Sequence, residues 1–195
     1  MNLADLLDSL RVEFPKFKLV PKAESTFMRA LYYVLMVLTL GAQSTFLTTY
    51  TTTIGYTIYV PTQWDGWSET KKLGILRHER VHLRQSRKWS IPLYSLLYVL
   101  VPLPIGLAYF RMKFEKEAYA ESIRAAYEKV GSDAIKSPLY REAMISYFTT
   151  GAYGWMWPFP KSIGKWFDDI VAKLESGWTD EEIPTKPEGA RPQDK

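Results

Sequence analysis

The chain has no cysteine, and only two of its 195 residues are histidine. Without cysteine the protein forms neither a disulfide framework nor a thiolate metal site. Any metal ion must therefore bind to histidine, aspartate or glutamate side chains. Because histidine is so scarce, the position of each of the two is informative.

A long uninterrupted hydrophobic run is also missing. The apolar residues 30–40 cover 11 positions, fewer than the roughly 20 that a membrane-spanning helix needs. Residues 91–110 reach that length but contain three prolines and a glycine. We expect both runs to form buried core helices, with peripheral membrane contact as the alternative.

The N-terminal segment, the net charge and the length of the chain indicate where the protein is located, what it does not bind and how it is divided into domains. The N-terminal segment carries acids where a signal peptide has basic residues, so we expect a cytoplasmic or membrane-associated protein. A formal net charge of +4 without a base-reading motif does not indicate nucleic-acid binding. The length predicts a single domain over residues 1–175, followed by a flexible, Pro-, Glu-, Thr- and Lys-rich tail over 176–195.

Hydrophobic periodicity and capping residues predict an α+β fold that is mainly helical. Residues 45–60, rich in β-branched and aromatic side chains, predict one or two strands with a bend near Gly55. Ser68 is placed to cap a helix from Glu69 to about Lys88. Further helices are predicted at residues 3–13, 25–40 with a stop at Gly41, 92–101, 107–130, 137–149 and 161–175.

The helix that starts at Glu69 carries the motif HERVH at residues 78–82, which contains both histidines of the chain. Residues i and i+4 lie on one face of a helix, so His78 and His82 can bind one metal ion together. In HExxH sites the intervening glutamate, here Glu79, takes a proton from a metal-bound water as that water attacks a carbonyl group. The motif therefore predicts a site for one Zn²⁺ ion.

A catalytic zinc needs a third protein ligand, and without further histidine or cysteine this ligand must be Asp or Glu. The predicted helix 107–130 offers Glu115, Glu117 and Glu121. At 100° per residue, Glu115 shares a smooth face with Ala118 and Tyr119. Glu117 instead lies on a charged stripe with Glu121, Arg124 and Glu128, which we expect to be solvated. This favours Glu115 as the ligand, with Glu117 as the alternative.

The predicted helix from Glu69 to about Lys88, which we call the active helix, has two further features. Gln85 and Trp89 continue the histidine face and are expected to line the cleft. A basic stripe lies on the side away from the histidines, and we expect it to be solvated, with docking to anionic lipid or an acidic partner as the alternative. The stripe consists of Arg77, Arg80, Arg84, Arg87 and Lys88.

The motif HERVH, followed 33 positions after His82 by the element EKEAY at residues 115–119, resembles the HExxH…E layout of gluzincins. The first glutamate of that element matches the zinc ligand in the E-x-x-A-D element of M48-type peptidases, although Tyr119 stands where their Asp does. The resemblance implies a zincin-like fold, with a small sheet before the HExxH helix and a second helix supplying Glu115. It also implies a zinc metallopeptidase acting on protein or peptide substrates, with a strand in residues 51–60 that pairs with the substrate.

Zincins also use a Tyr, His or Arg side chain to stabilise the oxyanion, and this chain has no spare histidine. Tyr119 and Tyr153 are therefore the candidates. Two alternatives to a peptidase stay open: a non-catalytic structural or assembly protein stabilised by zinc, and a membrane-associated interaction protein.

Overall fold

The computed structural model describes residues 1–38, 41, 44–99, 108–150 and 156–178. The architecture is α+β and mainly helical, with a small three-stranded sheet, as the sequence predicts. The chain divides into two compact units, Met1–Ser86 and Arg87–Lys195. The single domain over residues 1–175 stays a prediction, and most of the predicted tail lies outside the described residues.

The described residues of the first unit form three α-helices. Helix α1, Leu3–Glu13, begins with a capping box in which Asn2 and Asp5 each accept the other's backbone N–H. Helix α2 spans Thr26–Leu38, and helix α3 spans Glu69–Trp89, of which the residues up to Ser86 belong to this unit. Ser68 Oγ accepts the backbone N–H of Lys71 at 3.3 Å, so it caps α3 as predicted.

The sheet consists of strands β1, Lys18–Pro21, β2, Thr52–Ile54, and β3, Thr57–Val60. Strand β3 is central, with β1 parallel on one side and β2 antiparallel on the other. Gly55 has a φ of 59° at the first position of the two-residue loop between β2 and β3, a conformation typical of tight hairpins. The predicted stretch 45–60 is too long, because residues 45–49 form turns, and β1 was not predicted.

The core of the first unit lies between α1, the sheet and α3. Helix α1 contributes two buried leucines, at positions i and i+4, and the central strand contributes alternate residues. Helix α3 contributes apolar residues from the face that packs against them. The buried side chains include Leu6, Leu10, Ile58, Val60, Leu76 and Leu83. This packing holds the sheet against the helix that carries HERVH.

Helix α2 differs from its prediction as a buried core helix. It buries Met28 completely, but Phe27, Tyr33, Val34 and Val37 are between 52% and 75% exposed. The prediction is wrong for this face, because a 13-residue helix made almost entirely of apolar residues has more apolar surface than one packed face can cover.

The second unit is helical throughout its described residues. It contains α4, Ile91–Val99, α5, Tyr109–Ile135, α6, Pro138–Thr149, and α7, Pro160–Glu175. Gly131 interrupts α5 with a φ of 78° and a ψ of 177°, so the regular helix ends at Val130 as predicted. The core of this unit includes Met112, Ile123, Ile135, Phe148, Ile163 and Phe167. Among the described helices of the whole chain, none has both the length and the hydropathy to cross a lipid bilayer.

Candidate metal centre

The two histidines of α3 point their ring nitrogens at a common position. The Nε2 atoms of His78 and His82 lie 3.2 Å apart, with the ring planes at 75° to each other. Two nitrogens bound tetrahedrally to one zinc ion, each at 2.0 to 2.1 Å, are separated by about 3.3 Å. The pair therefore has the spacing of two ligands of one zinc ion before any ion is added.

The side-chain amide of Gln85 determines which nitrogen of a neutral His82 ring carries the hydrogen. The side chains of His82 and Gln85 are both buried, and the Nδ1 atom of His82 lies 2.9 Å from Gln85 Oε1. An amide oxygen only accepts hydrogen bonds, so Nδ1 carries the proton and Nε2 keeps its lone pair. Gln85, predicted only to line the cleft, thus orients a candidate ligand in the way that outer-shell groups orient metal-binding histidines.

Glu79, the predicted general base, is 7% exposed and contacts the sheet. Thr53 on strand β2 donates its hydroxyl hydrogen to Glu79 Oε2, at an Oγ1 to Oε2 distance of 2.6 Å. This contact could not be predicted from the sequence, because the two residues are 26 positions apart and threonine is frequent throughout the segment.

A buried lysine lies within electrostatic reach of Glu79. Lys22, in a 3₁₀ turn directly after β1, is completely buried. Its Nζ donates to the carbonyl oxygen of Phe46 at 2.8 Å and lies 3.7 Å from the centre of the Phe46 ring. Burial lowers the pKa of the Lys22 amine to about 7, although the negative charge of Glu79 opposes this decrease.

In the second unit, the predicted third ligand is a buried, hydrogen-bonded carboxylate. Glu115 on α5 is 2% exposed, whereas Glu117 is exposed. Tyr98 of α4 donates its hydroxyl hydrogen to Glu115 Oε1. Burial raises the pKa of Tyr98, and the neighbouring Glu115 carboxylate raises it further, so Tyr98 stays a hydrogen-bond donor at neutral pH.

The charged stripe on α5, which is predicted to be solvated, is partly buried. Glu121 and Arg124 are 6% and 9% exposed, and the guanidinium group of Arg124 donates to both carboxylate oxygens of Glu121. The prediction is wrong for these two residues because a bidentate ion pair within one helix allows both charges to be buried.

The basic stripe on α3 is also partly buried. Arg80 and Arg84 both bind the carboxylate of Glu13, the last residue of α1, and their side chains are only 25% and 24% exposed. The predicted solvation is therefore wrong for these two arginines. Burial alone raises the pKa of Glu13, but the hydrogen bonds and charges of Arg84 and Arg80 outweigh it and lower that pKa.

The two tyrosines predicted as oxyanion donors have different outcomes. Tyr119 is 7% exposed and belongs to the core of the second unit, where its ring stacks on Tyr147 at 5.3 Å and 14°. This is a packing environment, and a catalytic role for Tyr119 stays a prediction. Tyr153 lies outside the described residues.

Donor atoms for a metal ion are offered, among the described residues, by His78 and His82 in the first unit and by Glu115 in the second. Two imidazoles and one carboxylate are the donor set of many catalytic zinc sites. No family model matches the chain, and no curated protein or solved structure matches it either.

Proposed function

We propose that the protein binds one zinc ion through His78, His82 and Glu115 and is a zinc-dependent metallopeptidase. The observation that carries the proposal is the 3.2 Å separation of the two histidine Nε2 atoms on the HERVH helix. At this distance the two nitrogens can share one hydrogen or bind one common ion, and the spacing matches that of two imidazoles bound to the same zinc ion.

The donor chemistry fits zinc and leaves one position open. Gln85 keeps the lone pair of His82 on Nε2, and Glu115 supplies a buried carboxylate of the opposite charge to the metal. With His78, His82 and Glu115 as the only protein ligands, a bound zinc ion would remain open to water or substrate, as in catalytic zinc sites and unlike closed structural ones.

When bound, zinc supplies Lewis-acid chemistry, which polarises a carbonyl group and makes water nucleophilic near neutral pH. Glu79 follows the first histidine of the motif and has one carboxylate oxygen held by Thr53. Its other oxygen accepts the proton from the attacking water and later delivers it to the leaving amine. Each protonation step is thus assigned to one side chain of this chain.

Peptide bonds are the proposed substrate class because of the resemblance of HERVH and EKEAY to gluzincins. The sheet supports this choice through one detail. Of the segment 51–60, β3 is central and paired on both sides, whereas β2 pairs with β3 alone among the described strands. An extended peptide would therefore add to the edge of β2, the strand that also contacts Glu79.

Replacement of the general base tests the proposal. We expect wild-type protein, loaded with zinc, to cleave labelled casein or a random peptide library read by mass spectrometry. Glu79→Gln should lose at least about 100-fold in rate while retaining its zinc, because Glu79 moves protons and is not a ligand. The matched control, Glu117→Gln, removes an exposed carboxylate and should keep wild-type activity.

Two other results would contradict the proposal in different ways. Wild-type protein that binds zinc but cleaves neither substrate would favour the non-catalytic, zinc-stabilised alternative. Cleavage that persists in Glu79→Gln at the wild-type rate would show that the activity belongs to a contaminant or to another site.

A further inference from the structure

Strand β2 contributes a side chain as well as a backbone edge to the proposed site. The Thr53 hydroxyl donates to Glu79 Oε2 across 2.6 Å. This length is typical of a charge-assisted bond from a hydroxyl group to an ionised carboxylate. Glu79 is buried, so the contact is shielded from the water that would otherwise compete for the carboxylate.

The hydrogen bond restricts the orientation of the general base. The carboxylate of a glutamate rotates almost freely about its last torsion, because that rotation has a broad energy minimum. A donor fixed on a paired strand removes this freedom and occupies one oxygen. Since Thr53 is aligned with Ile58 of β3, its position is set by the hairpin and not by a loop.

The proton to be transferred must be within about 3 Å of the accepting oxygen, so a wrongly rotated carboxylate would transfer it slowly. We propose that Thr53 is a positioning residue that holds Glu79 Oε2 and leaves Oε1 directed at the attacking water. The inference rests on the proposed function, because it assigns Thr53 a role in the step that Glu79 performs.

A merely structural role would give a different result. If the hydrogen bond served only to attach the hairpin to α3, its loss would loosen the fold and affect zinc retention, substrate binding and turnover together. A positioning role predicts a lower kcat with an unchanged KM and full zinc content, because a peptide added to β2 would pair with its backbone groups and Thr53 is not one of the proposed zinc ligands.

The test compares three variants of the zinc-loaded full chain on labelled casein. Thr53→Val keeps the size and the β-branch but removes the donor, and we expect kcat to fall by about 10- to 100-fold, with KM within about twofold of wild type. Thr53→Ser restores the donor and should recover most of kcat. Thr49→Val is the matched control, because Thr49 is an exposed threonine outside the three strands, and it should leave kcat unchanged.

The outcomes separate this inference from the proposed function. An active wild type with a normal kcat in Thr53→Val overturns the inference alone. The same holds if Thr53→Ser loses as much activity as Thr53→Val, or if the control Thr49→Val loses equally. Wild-type protein that holds zinc but cleaves nothing overturns the proposed function, and the inference with it.

Discussion

A single amide decides which nitrogen of His82 is available to a metal. With Gln85 Oε1 2.9 Å from Nδ1, the proton is held on the far side of the ring from His78. Without this acceptor the two neutral tautomers would compete, and part of the population would present an N–H group to the metal. The amide therefore prepares the ligand before zinc arrives.

Removal of this amide is expected to weaken zinc binding. Gln85→Met keeps a side chain of similar length without the acceptor, and we predict a 10- to 100-fold higher zinc dissociation constant, a range typical of outer-shell substitutions. Competition with a chromophoric chelator measures the constant. Gln63→Met, which changes an exposed glutamine, is the control and should bind zinc like wild type. An unchanged constant in Gln85→Met would contradict the role of the amide.

The buried amine of Lys22, within electrostatic reach of Glu79, can be tested without metal or substrate through the pH dependence of the free energy of unfolding. Its pKa is about 7 in the folded protein, compared with an ordinary value of 10.5. Between these two values the unfolded chain binds the proton and the folded protein does not. Raising the pH through this window therefore stabilises the fold, by up to roughly 1.4 kcal/mol for each pH unit.

The expected result is a difference between two titrations of stability. In chemical unfolding of metal-free protein, the free energy of unfolding of wild type should rise relative to that of Lys22→Met from pH 7 to about 10. Lys18→Met removes an exposed lysine of β1 and should follow wild type. Parallel pH dependences for wild type and Lys22→Met would show that the buried amine does not titrate as described.

Some residues of the site could be read from the sequence and others could not. His78, Glu79 and His82 lie within one helical turn, so their spacing alone brings them together. The partners of the site are distant in the chain: Thr53 is 26 positions before Glu79, and Tyr98 is 17 positions before Glu115. Contacts of this kind depend on the packing of the fold and leave no pattern in the sequence.

Among the elements, helices were predicted far better than strands. The starts of α1, α3 and α6 carry side-chain caps at Asn2, Ser68 and Ser137, which are local signals. Strand β1 has four residues, two of which are Lys18 and Pro21, and it pairs in parallel with a strand almost 40 residues later. Such a strand exists only because of a non-local partner, so local propensity does not identify it.

One carboxylate joins the end of α1 to α3, in addition to the core that the two helices share. Glu13 binds Arg80 and Arg84, which are one turn apart on α3, and its own side chain is 17% exposed. Because the charges are partly buried, loss of one partner from this cluster should lower the free energy of unfolding more than loss of a surface ion pair does. The partial burial also explains why the basic stripe on α3 is not fully available to an external partner.

Glu13→Gln should therefore lower the free energy of unfolding by about 1 to 3 kcal/mol, because two half-buried guanidinium groups lose their counter-charge. Urea unfolding at neutral pH measures the loss. The matched control, Asp8→Asn, breaks the exposed pair between Asp8 and Arg11 on the same helix and should cost no more than about 0.5 kcal/mol. Equal effects of the two substitutions would contradict a special role for the Glu13 cluster.

On the scale of the whole molecule, the fold class was predicted because the order of elements carries it. A β-rich segment followed by a capped amphipathic helix and then by further helices predicted the α+β architecture, and the structure confirms it. Burial was harder to predict than element type, as α2 shows. Its composition indicated a core helix, but how many of its faces are covered depends on the neighbours that the fold provides.

Function at this scale depends on whether the chain holds zinc. The proposed peptidase activity requires one zinc ion per chain, bound by His78, His82 and Glu115, and every proposed catalytic role depends on that ion. Elemental analysis of purified protein after zinc loading and desalting tests this claim most directly. The informative variants are His78→Ala and Glu115→Ala, with Glu117→Ala as a control for the loss of a carboxylate.

We expect about one zinc ion per chain in wild type and in Glu117→Ala. We expect far less than one in His78→Ala and Glu115→Ala, since each of these variants lacks one of the three proposed ligands. Circular dichroism identifies any variant that has lost its fold. Folded wild-type protein that retains no zinc, or a Glu117→Ala variant that loses zinc while Glu115→Ala keeps it, would contradict the proposed site.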